Sequence, residues 1–408
     1  MASTDPQVDD MLSRKFGKEV TNYFAGLPLN RVGFLRTDHT FLNAAVKHPS
    51  TSFLLFNNNG PLVKDPSKLA FVSYKDVQPL IGDDPFRSSE AQLIAEYNSS
   101  ITRPLLVLLG LDERRKDAFT YKRFTGAPYF ALDVTPEGSV KEKAQSVISA
   151  VESKGLQFFQ GRSHMLFSRE EAAIFSMGRA MIDWNRRNPY CAQCGSPTIS
   201  VWAGAKRVCP PTDLATTTTV IKDSASSDAS KTVIQRPPCA TRNTISNISF
   251  CRTDPSIIVA VVSSDGKRTL LGHNSRWQPY WYSTLAGFCE PGESVEEATR
   301  REVYEETGVR IGRVVIHSTQ PWPYPSSLMI GAIAQALPGH EEIRLDNDAE
   351  LADAKWFPLD EVAESLDKFT SPMGEPAGPG YIEGKLRLPP EKAVAHQLLR
   401  AVVGGYLE

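Results

Sequence analysis

Gly287-Phe288-Cys289-Glu290-Pro291-Gly292-Glu293-Ser294-Val295-Glu296-Glu297-Ala298-Thr299-Arg300-Arg301-Glu302-Val303-Tyr304-Glu305-Glu306-Thr307-Gly308-Val309 reads, from the residues up, as a turn, a capped helix and a stop. Pro291-Gly292 predicts a tight turn. Ser294 predicts a helix N-cap answered by Glu297 three residues on, and Gly308 a helix-terminating residue. Within that helix Glu302, Glu305 and Glu306 stand at i, i+3 and i+4, which puts three carboxylates within about 100° of arc. An ordinary solvated face mixes signs, as Glu296, Glu297 and Arg300 do. Carboxylates so gathered repel unless a hard divalent cation sits among them, and Mg²⁺ or Mn²⁺ held by oxygen ligands often bridges to phosphates. Arg301 is placed to tether one carboxylate through a forked ion pair. Three glutamates alone also fit an acidic surface helix.

Eleven residues further on lies Gln320-Pro321-Trp322-Pro323-Tyr324-Pro325-Ser326-Ser327-Leu328-Met329. Alternating prolines force an extended backbone. Trp322 and Tyr324 then project as rigid flat surfaces suited to a base or nicotinamide ring. By themselves these residues also fit a proline-rich partner ligand or an edge loop.

Taken whole, the first string resembles the Nudix box at all nine of its constrained positions in 23 residues. That box is Gly, five residues, Glu, seven residues, then Arg-Glu-hydrophobic-x-Glu-Glu-x-Gly-hydrophobic. The second string resembles the Ser-Gln-Pro-Trp-Pro-Phe-Pro-x-Ser array of the NAD(H) pyrophosphatase branch of that superfamily, with Thr319 for the first Ser and Tyr324 for Phe. The resemblance, to a eukaryotic and fungal type, covers residues 16–408 and is sharp from Cys191 onward. It implies an α+β multidomain chain. An N-terminal α/β domain would be followed by a small four-cysteine zinc ribbon and a C-terminal Nudix α/β/α sandwich. The activity it implies is metal-dependent hydrolysis of the pyrophosphate of NADH or NAD⁺ to NMNH or NMN and AMP.

By the same resemblance Glu302, Glu305 and Glu306 are metal ligands, with Glu293 and Arg301 in close support. Glu350, ahead of Ala354-Lys355-Trp356-Phe357, matches a glutamate that adds a ligand for Mg²⁺ or Mn²⁺ from a loop. Phe288 matches a phenylalanine that stacks on a substrate ring; a core aromatic is its alternative. Gln320, Trp322 and Ser327 match the substrate-selective array, and Val394-Ala395 a segment beside the adenine, so Ala395 joins the substrate contacts. Arg252-Thr253-Asp254-Pro255 matches a turn opening the catalytic domain, but Cys251 stands where the family has Pro, next to its dimer contact.

The six cysteines begin only at Cys191, which suits a local metal site in a reducing compartment better than a disulfide scaffold. Cys191-Ala192-Gln193-Cys194-Gly195 reads as a zinc knuckle, two thiolates on one tight turn with Gly195 allowing close backbone. Cys209 and Cys239 would complete a structural four-cysteine zinc site, one Zn²⁺ per subunit, with Cys251 as the substitute ligand. The family's second Cys pair is split here by residues 211–237, where ten of 27 residues are Ser or Thr and disorder is expected. Cys289 is expected to be a plain thiol. The histidines, among them His164, His273 and His317, make no metal spacing and are expected to be structural.

These readings divide the chain into a disordered tail at 1–15, an N-terminal NADH-pyrophosphatase-like domain at 16–188, a zinc ribbon at 189–253 and a Nudix domain at 254–408. Strands are expected at 52–56, 69–74, 105–109, 129–134, 256–262 and 328–336. Helices are expected at 140–152, from Ser168 to about 188, at 295–306 and at 391–403, with a Gly/Pro-rich loop at 371–390.

With 408 residues and 41% hydrophobic content the chain can bury sizeable cores. A formal charge of -2 argues against a protein built for non-specific binding to nucleic acid or anionic membrane. No run reaches the length of a membrane span, and the N-terminus has no secretory pattern, so an intracellular, cytoplasmic protein without a membrane partner is expected. The ending Tyr406-Leu407-Glu408 does not match the peroxisomal Ser-Lys-Leu of some relatives. Expected partners are a small dinucleotide, NADH or NAD⁺, and a second copy in a homodimer. NAD-capped RNA, ADP-ribose and dinucleoside polyphosphates are the alternative substrates. A non-catalytic zinc-ribbon binding module is the reading from another class.

Overall fold

A computed structural model describes residues 20–115, 118–160, 165–220, 230–242, 246–347 and 350–404. The expected tail at 1–15, His164 and the chain end at 405–408 lie outside the described residues. The chain divides into two units. Of the described residues, the first holds those within 27–252 together with 323–326, and the second those within 253–322 and 327–404 together with 20–26. Among the described residues no helix is long and apolar enough to cross a membrane.

The first unit begins with α1 (His39–Lys47), capped by Asp38, whose side chain accepts from the Phe41 amide. Then come β1 (Ser52–Asn57), β2 (Gly60–Asp65), β3 (Lys68–Leu69), α2 (Tyr74–Ile81) and α3 (Glu90–Ala95). Of the strand expected at 69–74 only Leu69 lies in a strand, Val72 makes an isolated bridge to Phe53, and the Ser73–Asp76 capping box starts α2 at Tyr74. β4 (Leu106–Asp112), β5 (Phe119–Tyr121), β6 (Phe124–Asp133), α4 (Lys141–Glu152), β7 (Gln157–Phe158) and α5 (Arg169–Arg187) follow. The sheet runs β3-β2-β1-β6-β4, with β5 on β6 and β7 on β2. β1 shows why it closes: Phe53 and Leu55 join a core with α1, α2 and α4, while Phe56 on the other face stacks on Phe175 of α5 at 6.2 Å. As expected, Ser168 caps α5 by accepting from the Glu171 amide.

Beyond α5, β8 (Ile199–Val201) and β9 (Lys206–Val208) form a two-stranded ribbon. Residues 211–237, expected to be disordered, instead contain an antiparallel pair, β10 (Thr212–Val220) and β11 (Ser230–Gln235). β-branched residues are frequent in both strands, and a buried ion pair at the base, Arg236 to Asp213 at 2.6 Å, supplies what composition hid. Residues 221–229 lie outside the described residues.

The second unit holds β12 (Asp254–Val262), β13 (Arg268–His273), β14 (Leu285–Phe288), α6 (Val295–Thr307), β15 (Ile311–Trp322), β16 (Ser327–Ala336), β17 (Asp353–Pro358), α7 (Leu359–Lys368) and α8 (Val394–Val403). Its sheet runs β15-β16-β12-β13-β17, with β14 on β12 and β12 parallel to β16. The unbroken apolar run of β12 is explained by burial on both faces. Ile257, Val259 and Val261 pack with Ala298 and Val303 of α6, and Ile258, Ala260 and Val262 with α7 and α8. This is the expected sandwich. The described start of the chain, residues 20–26, belongs with this unit and not with the N-terminal domain. Tyr23 and Phe24 are buried in it, Phe24 against Trp322 with ring centroids 5.9 Å apart.

Candidate active site and metal centre

Helix α6 forms as its sequence dictates. The Ser294 side chain accepts from the Glu297 amide, Glu297 answers by accepting from the Ser294 amide, and Gly308 closes the helix at φ 72°. Arg301 is the hub of its charged face. Nε donates to Glu293 Oε1 at 2.6 Å and Nη2 to Glu293 Oε2 at 2.9 Å, a bidentate pair. Nη1 donates at 3.0 Å to both Glu302 Oε1 and Glu305 Oε2, and Nη2 donates to the Phe288 carbonyl at 2.8 Å. One guanidinium thus fixes three carboxylates and the end of β14, where sequence reading expects it to tether one.

Electrostatics follow from this wiring. Arg301 holds Glu293 below the usual carboxylate range, helped by the Glu290 amide. Burial raises Glu302 against the pull of Arg301, and the charges of Glu305 and Glu350 add to the rise, so Glu350 is within electrostatic reach of Glu302. Carboxylates whose charges act on one another gain from a divalent cation, so Glu302, Glu305 and Glu350 are side chains that could hold a hard metal ion. Glu306 is buried at 4% exposure. Glu302 lies tight against β14: a Cβ on Gly287 would overlap its carboxylate.

The residues matched to substrate contacts divide sharply. Phe288 is 60% exposed at the end of β14 and has no ring partner among the described residues, so it is not a core aromatic. Gln320 is 1% exposed, and both ends of its amide are bound. Nε2 donates to the Tyr23 and Lys392 carbonyls at 3.0 and 2.8 Å, and Oε1 accepts from the Val394 amide at 2.9 Å. In this structure Gln320 ties the start of the chain to the start of α8. Asn22 repeats the bond one step along, donating to Ser318 Oγ and the Thr319 carbonyl, both at 2.9 Å. Ala395 and Ser327 are buried, at 3% and 6% exposure. The bonds of Asn22 to Ser318 and Thr319 and of Gln320 to Tyr23 escape sequence reading because these partners are nearly 300 positions apart, and those of Gln320 to Lys392 and Val394 span 72 and 74 positions.

In the first unit the four Sγ atoms of Cys191, Cys194, Cys209 and Cys239 lie within 4.8 Å of one another. Cys191 and Cys239 are 3.7 Å apart, Cys194 and Cys209 3.4 Å. Zinc with bonds of about 2.3 Å sets tetrahedral sulfur edges near ~3.8 Å, so the set fits Zn²⁺. The knuckle closes as expected, with the Gly195 amide on the Cys191 carbonyl at 2.8 Å and Gly195 at φ 70°. Cys251 stands apart, its thiol on the Gly204 carbonyl and pushed up to about 12 by burial, so it does not take a place in the cluster. Arg242, which sequence reading passed over, donates to Cys209 Sγ at 3.5 Å, to the Cys209 carbonyl and to the Pro237 carbonyl. It joins the two halves of the split site.

Three family descriptions match the chain: NADH pyrophosphatase-like rudimentary NUDIX domain over residues 50–184, NADH pyrophosphatase zinc ribbon domain over 186–216, and NUDIX domain over 252–375. A Schizosaccharomyces pombe protein named NAD-capped RNA hydrolase is 32% identical, over 93% of this chain and 92% of that one. The Saccharomyces cerevisiae NAD-capped RNA hydrolase NPY1 is 31% identical, over 94% and 96%. The mouse protein named NAD(P)H pyrophosphatase NUDT13, mitochondrial, is 34% identical over 81% and 83%. With the box on a capped helix, the four-thiol cluster and likeness along nearly the whole length, the chain belongs to the Nudix hydrolases, in the branch that joins an NADH pyrophosphatase-like domain and a zinc ribbon to the Nudix domain.

Proposed function

We propose that this chain hydrolyses the pyrophosphate of NADH and NAD⁺, giving NMNH or NMN and AMP. One observation carries the reading: Arg301 locks Glu293, Glu302 and Glu305 into one acidic face and holds the carbonyl of Phe288, whose ring is exposed. Glu302, Glu305, Glu306 and Glu350 would hold Mg²⁺ or Mn²⁺, which neutralises phosphate charge and makes water a better nucleophile. The chain's own residues supply the rest. Arg301 sets the direction of the carboxylates, so they need no reorganisation when a polyanion arrives. Phe288 offers a flat face to one ring of the dinucleotide, fixing the pyrophosphate over the acidic face. Water adds to one phosphorus while one carboxylate among Glu302, Glu305, Glu306 and Glu350 takes its proton, the bridging P–O bond breaks, and the departing phosphate leaves with the bridge oxygen. Zn²⁺ on the four cysteines is structural, because four thiolates leave no open position. A homodimer and the choice between Mg²⁺ and Mn²⁺ belong to this reading through the family resemblance.

A second reading has support from the two yeast relatives, whose names state NAD-capped RNA as substrate and which match along more than nine-tenths of this chain. The same bond is cut when the adenosine half of NAD begins an RNA. Purified full chain with Mg²⁺ or Mn²⁺ is assayed on NADH, NAD⁺, ADP-ribose and NAD-capped RNA, with Glu305→Gln beside it. NMNH and AMP from NADH, falling ~10²-fold or more in the variant, is the expected result. No cleavage of any NAD-containing substrate overturns both readings.

A further inference from the structure

The first unit contains a cavity of about 720 Å³ lined by residues from Arg36 to Arg207, a size in the range of small-ligand sites. Its charges do not cancel within the wall. The carboxylate of Asp84 is taken by Lys47, and that of Glu90 by Lys206 and the Trp202 indole. Arg207 spends its guanidinium on Thr198 and Asn185. Arg36 and Arg103 remain, and neither pairs with a carboxylate among the described residues. Arg36 is half-buried, and its Nε is sealed from water without a hydrogen-bond partner. Ser200 Oγ, in the same wall, is likewise buried and unpartnered. A desolvated guanidinium without a counter-charge is costly, and an anion brought by a ligand offsets that cost. Burial also lowers the Arg36 pKa, the sign expected of a cation awaiting its partner.

A second feature of the wall is apolar. Tyr190 is 63% exposed and Ile101 57% exposed, and Tyr190 has no ring partner among the described residues. Exposed aromatic surface in the same cavity wall as unpaired arginines is the combination that binds phosphate together with a stacked base.

We propose that this cavity is a nucleoside monophosphate site separate from the Nudix helix, with Arg36 and Arg103 receiving the phosphate and Tyr190 the base. Two sources share this chemistry: a free mononucleotide, or one nucleotide of an RNA strand.

The test is calorimetric titration of the full chain with 5′-AMP. A binding event is expected that survives Glu305→Gln and weakens about tenfold or more in Arg36→Gln and in Arg103→Gln. Arg36→Lys should keep most of it, and turnover of NADH by Arg36→Gln should be unchanged, which shows a folded chain. Tyr190→Ala should weaken AMP binding while leaving that of inorganic phosphate alone. A 5′-phosphorylated hexa-adenylate binding more tightly than AMP, with strong salt dependence, makes the source an RNA strand, and equal affinity makes it the free nucleotide. AMP binding that ignores both arginine substitutions, or no binding beyond that lost with Glu305→Gln, overturns the proposal.

Discussion

The carboxylate of Glu302 fills the space that a side chain on Gly287 would occupy. A strand residue is therefore glycine because a helix residue must reach past it. Gly287→Ala should push the Glu302 carboxylate aside, and the move is cheap for folding because it displaces only the end of a flexible side chain. Catalytic geometry is less forgiving, and a shift near 1 Å can cost ~10²-fold. The expected variant melts close to the parent and turns over NADH ~10²-fold more slowly. Equal loss of stability and activity would show that the methyl disturbs the sheet instead.

Arg242 predicts how the split zinc site is held. Its guanidinium touches Cys209 before the β10–β11 pair and Pro237 after it. Arg242→Gln should therefore release zinc to a chromogenic chelator several-fold faster, in line with the ~10-fold scale of lost outer-shell contacts. Cys191→Ser should lower zinc content and stability together, because ligation free energy is folding free energy. Purified chain carrying about one zinc per subunit is expected, and a zinc-free, fully stable preparation would end the assignment.

His396 gives the second unit a pH response. It is 4% exposed, and burial lowers its pKa from 6.5, with Arg400 adding to the fall and the Pro389 carbonyl opposing it. A lowered folded value means the unfolded chain binds the proton more readily. Its contribution is full above pH 6.5 and is lost as pH falls through the folded value. The urea midpoint should drop on acidification below pH 6.5, and less so in His396→Asn, which keeps a donor for the Pro389 carbonyl and cannot titrate. Identical pH profiles for the two proteins would refute this.

What was legible in the sequence is what short-range rules encode. Ser294, Glu297 and Gly308 set the bounds of α6 within 15 residues, and the unbroken apolar run of β12 marks a strand buried on both faces. The Cys191/Cys194 knuckle was legible from its spacing, and the structure gathers with it Cys209 and Cys239, expected as ligands although the second pair is split. The β10–β11 pair was not legible, since a Ser/Thr-rich composition does not reveal that Asp213 and Arg236 meet in a buried ion pair. Nor was the engagement of Gln320, because a motif match gives a residue's place in the chain and not what its amide faces in the fold.

Gln320 and Phe288 make the sharpest contrast, because the motif match put both against substrate. Phe288 is exposed and Gln320 is spent on three backbone groups. Aromatic stacking on a base is worth ~1–3 kcal/mol, so Phe288→Ala should cost about ten- to a hundredfold in kcat/KM toward NADH. Substrates too short to reach the ring should lose much less. Gln320→Ala should behave differently. It leaves the Tyr23 and Lys392 carbonyls and the Val394 amide without their partner in a buried setting, at ~1–3 kcal/mol for each unsatisfied group. Its melting temperature should fall, and NADH and ADP-ribose should lose activity in proportion. Side-by-side kinetics of both substrates on both variants decide the matter. A Gln320→Ala enzyme of unchanged stability that lost only its preference for NADH would return that amide to the substrate, and a Phe288→Ala enzyme with equal losses on all substrates would remove the ring from it.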